Sequence, residues 1–224
     1  MALVDHWPLF GLRVGTPRLE LRPPDDDIAL AMGELAVEGV HDPAFMPFSF
    51  AWTDAPADEL PRNTLQHLWQ MRAELRPNHW HVSLAVLADG RVVGGASLGA
   101  DDFGLRRTFE TGSWLGQAFQ GQGLGAELRQ ACLHLGFAGL GADLATTAAW
   151  HDNRASLGVT RKLGYEPNGE DLVLRRDTEP TRMLRFRMKR AHWEAKLRRD
   201  DIELDGVEAC LPLLRAEPSG ESSS

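Results

Sequence analysis

Residues 108–165 read TFETGSWLGQAFQGQGLGAELRQACLHLGFAGLGADLATTAAWHDNRASLGVTRKLGY, and this stretch decides the fold. A strand-like segment over 110–115 leads into a glycine-rich loop over 116–122, and a helix is predicted to begin near Gly123. The apolar positions of that helix are Leu124, Leu128, Cys132, Leu135 and Phe137. The glycines permit a tight turn and a close approach of a ligand to the backbone. Because a helix N-terminus has unpartnered N–H groups and favours an anion, the stretch predicts a phosphate cradle.

The glycine spacing selects among phosphate-binding loops. A dinucleotide-binding fold requires Gly-x-Gly-x-x-Gly, and the run from Gly121 to Ala126 fails at its last position. A Walker A loop requires Gly-Lys-Ser/Thr, which is absent. The run Gln120-Gly-Gln-Gly-Leu-Gly125 fits Gln/Arg-x-x-Gly-x-Gly/Ala and resembles the pyrophosphate loop of the GCN5-related N-acetyltransferases, or GNATs. Taken alone, the loop could also be just a flexible turn.

Two further motifs resemble the same family. Asn153-Arg-Ala-Ser156 and then Lys162-Leu-Gly-Tyr165 are similar to the second GNAT motif, and Glu110-Thr-Gly-Ser-Trp-Leu115 is similar to the strand before the loop. The resemblance runs from about residue 16 to 188 and is greatest to the Rim-type ribosomal-protein N-acetyltransferases, including actinobacterial members. Some of those members are thought to use succinyl-CoA.

The resemblance implies an α/β (α+β) GNAT fold, with a mixed central sheet of about six to seven strands flanked by helices on both faces. One acyltransferase domain is expected over 18–190, between an apolar N-terminal extension (1–17) and a C-terminal extension (191–214). The composition of 215–224 predicts a disordered tail.

Patterning predicts the other elements of this domain. They are a strand over 18–22, a helix capped by Asp25–Asp27, a helix over 58–75 with Leu60, Leu65, Leu68 and Trp69 on one side, a hairpin turning at Asp89-Gly90, a strand over 143–149, a helix over 153–163 ended by Gly164, a closing hairpin before 188, and an extended segment over 202–214.

Composition limits the class of protein. The formal net charge of −8 argues against nucleic acid as a partner, because phosphate backbones are bound by clustered Lys and Arg. No apolar run reaches about 18 residues, so neither a spanning helix nor a membrane partner is expected. The N-terminus lacks a secretory pattern, and Cys132 and Cys210 suggest no disulfide framework, so a cytoplasmic location is expected. No grouping has metal-ligand spacing. The two extensions are compatible with a homo-oligomer.

Residues 39–57, GVHDPAFMPFSFAWTDAPA, predict an irregular loop that is rich in apolar side chains. Such a loop either packs on the core or forms a ligand wall. In the GNAT interpretation it lies where the family builds its acceptor pocket, which makes His41, Phe48 and Trp52 the candidate substrate-binding residues.

The resemblance also implies how coenzyme A is held. The backbone of the loop would bind the pyrophosphate, the end of the preceding strand would receive the pantetheine and polarise the thioester carbonyl, and Asn153 would contact the pantetheine arm. The implied cofactor-binding residues are Trp114, Leu115, Gln120, Gly121, Gln122, Gly123, Leu124, Gly125, Asn153 and Ser156. For Asn153 a helix cap is the alternative role. Arg161 or Lys162 could reach an adenosine phosphate or simply face solvent.

Candidate catalytic residues follow from acyl transfer, which needs a proton acceptor for the amine and a proton donor for the sulfur. Many GNATs have a donor tyrosine where this sequence has Thr160, and Tyr165 is interpreted as a packing residue. Ser156 is therefore the candidate donor, and Glu110 the candidate base acting through water, with His41 as a third candidate. The alternatives are a helix-face serine and a structural glutamate at a sheet edge.

The sequence thus predicts an N-acyltransferase that moves an acyl group from acetyl-CoA to a primary amine of a protein or small molecule. Succinyl-CoA is the alternative donor. A catalytically silent acyl-CoA-binding module and a nucleotide-binding protein are the alternatives from other classes.

Overall fold

Residues 1–214, the part of the chain that the computed structural model describes, form nine β-strands in one sheet. The strands are β1 (Arg13–Gly15), β2 (Glu20–Arg22), β3 (His79–Ala88), β4 (Arg91–Asp101), β5 (Thr108–Leu115), β6 (Leu144–Trp150), β7 (Glu166–Arg175), β8 (Glu179–Lys189) and β9 (Glu203–Asp205). The α-helices are α1 (Leu3–His6), α2 (Asp26–Glu38), α3 (Leu60–Glu74), α4 (Phe103–Arg106), α5 (Leu124–His134), α6 (Arg154–Lys162), α7 (Arg190–Lys196) and α8 (Val207–Leu214). The predicted disordered tail lies outside the described residues.

The sheet is mixed, with the order β7-β8-β6-β5-β4-β3-β2-β1-β9. Neighbouring strands are antiparallel except β5 and β6, which are parallel. The expected mixed α/β sheet is confirmed, and nine strands replace the six to seven that the resemblance implied. The two additional strands are β1 and β9, since Val14 is fully buried and pairs with Leu21 on one side and with Leu204 on the other.

Helices cover both faces of the sheet. Successive residues of β3 show this, since they pack into two different apolar clusters. Leu84 and Val86 belong to the main core, which also contains Leu128 of α5. Ala85 and Leu87 belong to a second cluster beneath α2 and α3. Side chains alternate across a strand, so the two clusters lie on opposite faces. No helix among residues 1–214 is long and apolar enough to span a membrane.

Local capping and turn residues set the element boundaries as predicted. The side chain of Asp25 accepts the N–H of Ile28 at 2.8 Å and caps α2. Asp89 and Gly90 turn the hairpin between β3 and β4 with φ of 49° and 76°. Gly164 follows α6 with a φ of 75°, the left-handed conformation that ends a helix.

Two segments differ from the prediction. The segment over 202–214, predicted as extended, contains β9 and then α8. Cys210 and Leu214 are buried one helical turn apart, and their burial stabilises the helix despite Pro212. Trp69, predicted on the inner side of α3, is 47% exposed and donates its Nε1–H to Asp26 at 3.0 Å.

The two parallel strands separate near the middle of the sheet. They pair with each other only from Thr108 opposite Leu144 to Glu110 opposite Thr146. Beyond this point β5 remains paired with β4 and β6 with β8, so the sheet splits between them. The chain leaves β5 toward α5 and leaves β6 toward α6, so both helices begin beside the gap. A crevice at the carboxyl ends of central parallel strands is a common place for a ligand site in α/β sheets.

Candidate active site

The gap between β5 and β6 opens into a cleft of about 1010 Å³. Its walls come from β5, β6, α5, α6, the β7–β8 hairpin and the 39–57 loop. The predicted site residues that line it are His41, Phe48, Glu110, Trp114, Leu115, Gln120, Gly121, Gly123, Gly125, Asn153 and Ser156. The structure therefore brings most of the predicted residues together around one cavity.

The glycine-rich loop presents its backbone at the N-terminus of α5. Gly123 is the N-cap with a φ of 80°, and Gly121 has a φ of 74°. For a residue with a Cβ atom this left-handed conformation costs about 1–2 kcal/mol. The Nε2 of Gln120 donates to the carbonyls of Val40 at 2.7 Å and Leu115 at 2.8 Å. The Gln120 side chain therefore anchors the loop, which leaves the backbone to bind a ligand.

Gln122 and Leu124 support the loop from outside the cleft. The Nε2 of Gln122 donates to the carbonyl of Ala118 at 2.9 Å, and the Leu124 side chain is buried in the main core. Arg18 donates to the carbonyl of Gln122 at 3.1 Å and to a carboxylate oxygen of Glu127 at 2.6 Å. The side chains of Gln122 and Leu124, both predicted to bind the cofactor, thus fix the loop and do not line the cavity.

Trp114 and Leu115 end β5 opposite two glycines of β4. A Cβ atom at Gly95 would lie 2.6 Å from the Nε1 of Trp114, and one at Gly94 would collide with the Trp114 carbonyl oxygen. These glycines allow the Trp114 ring to lie across β4. The ring also packs on Trp52, with the two ring centroids 5.5 Å apart.

Asn153 caps α6 and also contacts the 39–57 loop. Its Oδ1 accepts the N–H of Ser156 at 3.1 Å, and its Nδ2 lies 3.5 Å from the carbonyl oxygen of Pro47. The capping role is therefore present, and the buried side chain also faces the cavity. Ser156 lines the cleft from the first turn of α6; Lys162 also lines it, whereas Arg161 does not.

Glu110 lies where β5 and β6 begin to separate. It is opposite Gly99 of β4 and Thr146 of β6, so its position is in the interior of the sheet and not at an edge. The side chain is open to the cleft, yet desolvation by the surrounding protein raises the pKa of its carboxyl above the ordinary value. A raised pKa makes a carboxylate a better proton acceptor near neutral pH.

A series of ring contacts forms the wall on the 39–57 side. The ring centroids of His41 and Phe48 are 5.6 Å apart, and those of Phe48 and Trp52 are 5.3 Å apart. Trp52 packs behind the cleft surface and does not line the cavity. The ring nitrogens of His41 lie 2.6 Å from the Thr53 hydroxyl and 2.8 Å from the Asp42 carbonyl. These contacts hold His41 as part of the wall. Among residues 1–214, no group of His, Cys, Asp or Glu side chains could hold a metal ion.

Thr160, at the position of the family tyrosine, is fully buried and does not line the cleft. Tyr165 is also buried and belongs to the main core, which confirms its packing role. Neither hydroxyl faces the cavity, so Ser156 stays the predicted proton donor.

Sequence reasoning missed a buried arginine at the base of the cleft. Arg129 of α5 is 5% exposed, and its guanidinium spans the gap, 3.0 Å from the Thr147 hydroxyl on β6 and 3.5 Å from the Ser113 hydroxyl on β5. No carboxylate of residues 1–214 pairs with it, and its Nε is buried without a hydrogen-bond partner. Arg129 follows Gly125 by one helical turn, a spacing that places both on the same face of α5.

Comparison with known families identifies the class of protein. The family model for the acetyltransferase (GNAT) domain matches residues 18–166, more than half of the chain. The protein therefore belongs to the GNAT acetyltransferases, and it is an enzyme of that family. This confirms the resemblance drawn from the glycine loop and the Asn153 motif.

Solved structures of Rim enzymes share the fold. RimJ of Mycobacterium smegmatis in complex with CoA-disulfide is 17% identical, with a TM-score of 0.64 over 90% of this chain and 92% of that chain. RimL, the ribosomal L7/L12 α-N-protein acetyltransferase in complex with coenzyme A, is 17% identical, with a TM-score of 0.62 over 78% and 95%. An acetyltransferase from Salmonella typhimurium that modifies the N-terminal serine of L7/L12 is 18% identical, with a TM-score of 0.60 over 78% and 96%.

Proposed function

We propose that this enzyme transfers the acetyl group of acetyl-CoA to a primary amine of a protein or small molecule, by direct attack of the amine in a ternary complex. The supporting observation is that the glycine cradle, Glu110 and Ser156 all face the cavity between β5 and β6. The cradle is suited to phosphates, and the two side chains are suited to the proton transfers of amide formation.

The cradle end of the cleft is assigned to the donor. The N–H groups over 121–125 and the N-terminus of α5 bind the pyrophosphate, and Lys162 adds a positive charge on the cleft wall. The gap beside Trp114, Leu115 and Asn153 takes the pantetheine arm. The donor supplies a thioester carbonyl, and a backbone N–H at the end of β5 polarises it.

Glu110 and Ser156 are assigned the two proton transfers. An ammonium group must lose a proton before its nitrogen can attack, and Glu110 accepts that proton through a water molecule. As the C–N bond forms and the C–S bond breaks, the Ser156 hydroxyl donates a proton to the leaving sulfur. The proton that the nitrogen loses on becoming an amide passes through water to restore that hydroxyl, and Glu110 releases its own proton to solvent. His41 and Phe48 form the wall beside which the amine is held, and Trp52, predicted as a substrate-binding residue, supports Phe48 from behind.

The test is acetyl transfer from acetyl-CoA to a synthetic peptide that begins with serine, because the Salmonella relative modifies such an N-terminus. A short diamine serves as the small-molecule acceptor. Mass spectrometry is expected to find one acetyl group on an amine, in step with the release of free CoA thiol. Thiol release without an acylated amine would contradict the proposal and indicate a hydrolase.

Ser156→Ala is expected to lower kcat about 10²-fold, at the low end of what a positioned proton donor contributes. Alanine keeps the N–H that Asn153 caps, so α6 and the affinity for acetyl-CoA, measured by calorimetry, are expected to stay unchanged. An unchanged kcat would show that Ser156 is only a helix-face serine.

Succinyl-CoA is the second candidate donor, and Arg129 is the observation that favours it. A buried guanidinium without a carboxylate partner in the described chain matches the distal carboxylate of a succinyl group. We expect Arg129→Met to lower the ratio of succinyl-CoA to acetyl-CoA turnover, in kcat/KM, at least about tenfold, since charge-assisted hydrogen bonds contribute this much. An unchanged ratio would assign Arg129 to bridging β5 and β6 alone.

A further inference from the structure

We propose that Arg175 and Arg176, at the turn between β7 and β8, are positioning residues that hold the 39–57 loop in the shape that forms the acceptor end of the cleft. The inference rests on the proposed function, in which this loop lies beside the amine. The two arginines are distant from the loop in sequence, and neither takes part in the proton transfers or in binding the donor.

The 39–57 loop has little regular structure to define its own shape. It contains one short 3-10 turn at Trp52–Asp54, and its remaining backbone is irregular. Met46 is almost fully buried, whereas Phe50 is largely exposed. A segment with few internal hydrogen bonds samples many conformations unless outside contacts restrict it.

Arg175 supplies the largest set of outside contacts. Its Nε and Nη2 both donate to the carbonyl of Met46, at 2.9 and 2.6 Å, and its guanidinium pairs with both carboxylate oxygens of Asp152, at 2.8 and 3.2 Å. The same group lies 4.7 Å from the ring centroid of Phe45 and 5.0 Å from that of Trp150. The side chain is only 12% exposed. A planar fork that donates in two directions while lying on aromatic rings is a geometry that lysine does not reproduce.

Arg176 fixes a second part of the loop. It pairs with both oxygens of Asp54, at 2.7 and 2.8 Å, and donates to the carbonyl of Pro43 at 2.8 Å. Arg176 and Asp177 have φ of 50° and 56°, so the tight turn uses left-handed backbone to direct consecutive arginines at the same loop. The hydrogen bond from Arg176 holds the pKa of the Asp54 carboxyl below its ordinary value, as expected for a carboxylate paired with a guanidinium.

The two arginines act on the acceptor side and leave the donor side alone. Neither lines the cleft, whereas Phe45 and Phe48 of the loop they hold do line it. Trp150 donates to the carbonyl of Phe48 at 3.1 Å, so the strand next to the cleft also helps to fix the middle of the loop. The phosphate cradle on α5 has no contact with either arginine among those described. Loss of the arginines is therefore expected to change the acceptor end and to spare CoA binding.

The first test is hydrogen–deuterium exchange of the 39–57 loop in the whole protein. Arg175→Ala and Arg176→Ala are each expected to speed exchange of the loop amides at least about tenfold, because each removes charge-assisted hydrogen bonds. Arg175→Lys is expected to restore only part of the protection. Arg182→Ala is the matched control, since Arg182 lies on the same hairpin, is exposed and pairs with Glu170 at 2.6 Å. Unchanged loop exchange in both alanine variants, or full protection in Arg175→Lys, would overturn the proposal.

The second test separates acceptor from donor. With acetyl-CoA and the serine-initiated peptide, Arg176→Ala is expected to raise the peptide KM about tenfold with kcat within about threefold, and calorimetry is expected to give an unchanged Kd for acetyl-CoA. An equal loss of acetyl-CoA affinity would overturn the acceptor-side assignment. If the wild-type protein acylates no amine, the proposed function fails, and loop exchange together with the acetyl-CoA titration still decides the positioning role. Arg176 is half-buried, so this variant is expected to fold even if Arg175→Ala does not.

Discussion

Gly123→Val is expected to weaken acetyl-CoA binding at least about a hundredfold. Gly123 begins α5 with a φ of 80°, which a β-branched residue adopts at a cost of at least about 1–2 kcal/mol. The valine side chain would also stand at the helix N-terminus that is assigned to the pyrophosphate. Both effects are confined to the cradle and spare the core, because nothing but the Arg18 side chain lies within 4 Å of a Cβ atom at this position. The measurement is the Kd for acetyl-CoA by calorimetry.

Gly90→Val is the matched control for this prediction. Gly90 has a similar φ of 76° in the turn between β3 and β4, has no atom within 4 Å of its Cβ position, and does not line the cleft. It is expected to lower the melting temperature without changing the Kd. If Gly123→Val bound acetyl-CoA as tightly as Gly90→Val does, the cradle would not be where the phosphates bind.

Glu110→Gln is expected to lower kcat by about 10² to 10⁴, the range for a positioned general base, and to leave the Kd for acetyl-CoA unchanged. Glutamine keeps the size of the side chain but cannot accept the proton of the amine. Glu110→Asp keeps the carboxylate one methylene farther away and is expected to retain part of the rate. An unchanged kcat in Glu110→Gln, measured with the peptide in excess, would remove Glu110 from the mechanism.

The raised pKa of Glu110 also predicts the pH dependence. Desolvation raises the pKa of the folded carboxyl above its ordinary value, so the base becomes protonated, and kcat falls, at a higher pH than for an exposed glutamate. The same raised pKa predicts how Glu110 affects the free energy of unfolding at different pH values, with a sign opposite to that of an ion-paired carboxylate. Below the pKa of the unfolded chain the protonated carboxyl makes its full contribution to stability, and this contribution is lost as the pH rises through the pKa of the folded state. Glu110→Gln is therefore expected not to lower the melting temperature at neutral pH, and its kcat should lose the acidic limb.

The conformation of the glycine-rich loop could be predicted from sequence because its signals are local. Gly121 and Gly123 have the positive φ that their spacing implied, and the helix begins within one residue of the predicted position. Asn153 caps α6 for the same reason, since a cap is decided by residues three positions apart. The α/β class followed from the family resemblance that these local motifs carry.

The shape of the 39–57 loop could not be predicted, because contacts between distant residues define it. The carbonyl of Met46 meets Arg175, and Asp54 meets Arg176, across more than 120 positions of the chain. The strand β9 was missed for the same reason, since it pairs with a segment near the N-terminus. Arg129 had a local signal in its spacing from Gly125, but only the separation of β5 and β6 shows that this face of α5 meets a cavity.

Calorimetric titration of the whole protein with acetyl-CoA, repeated in the presence of an equal concentration of ATP, tests the central claim most directly. The account predicts saturable binding at one site per chain that ATP does not displace, because the pantetheine gap and the loop backbone act together. Succinyl-CoA in a parallel titration would then rank the two donors. No binding of either acyl-CoA, or displacement by ATP at equal concentration, would contradict the assignment of the cleft to an acyl-CoA donor.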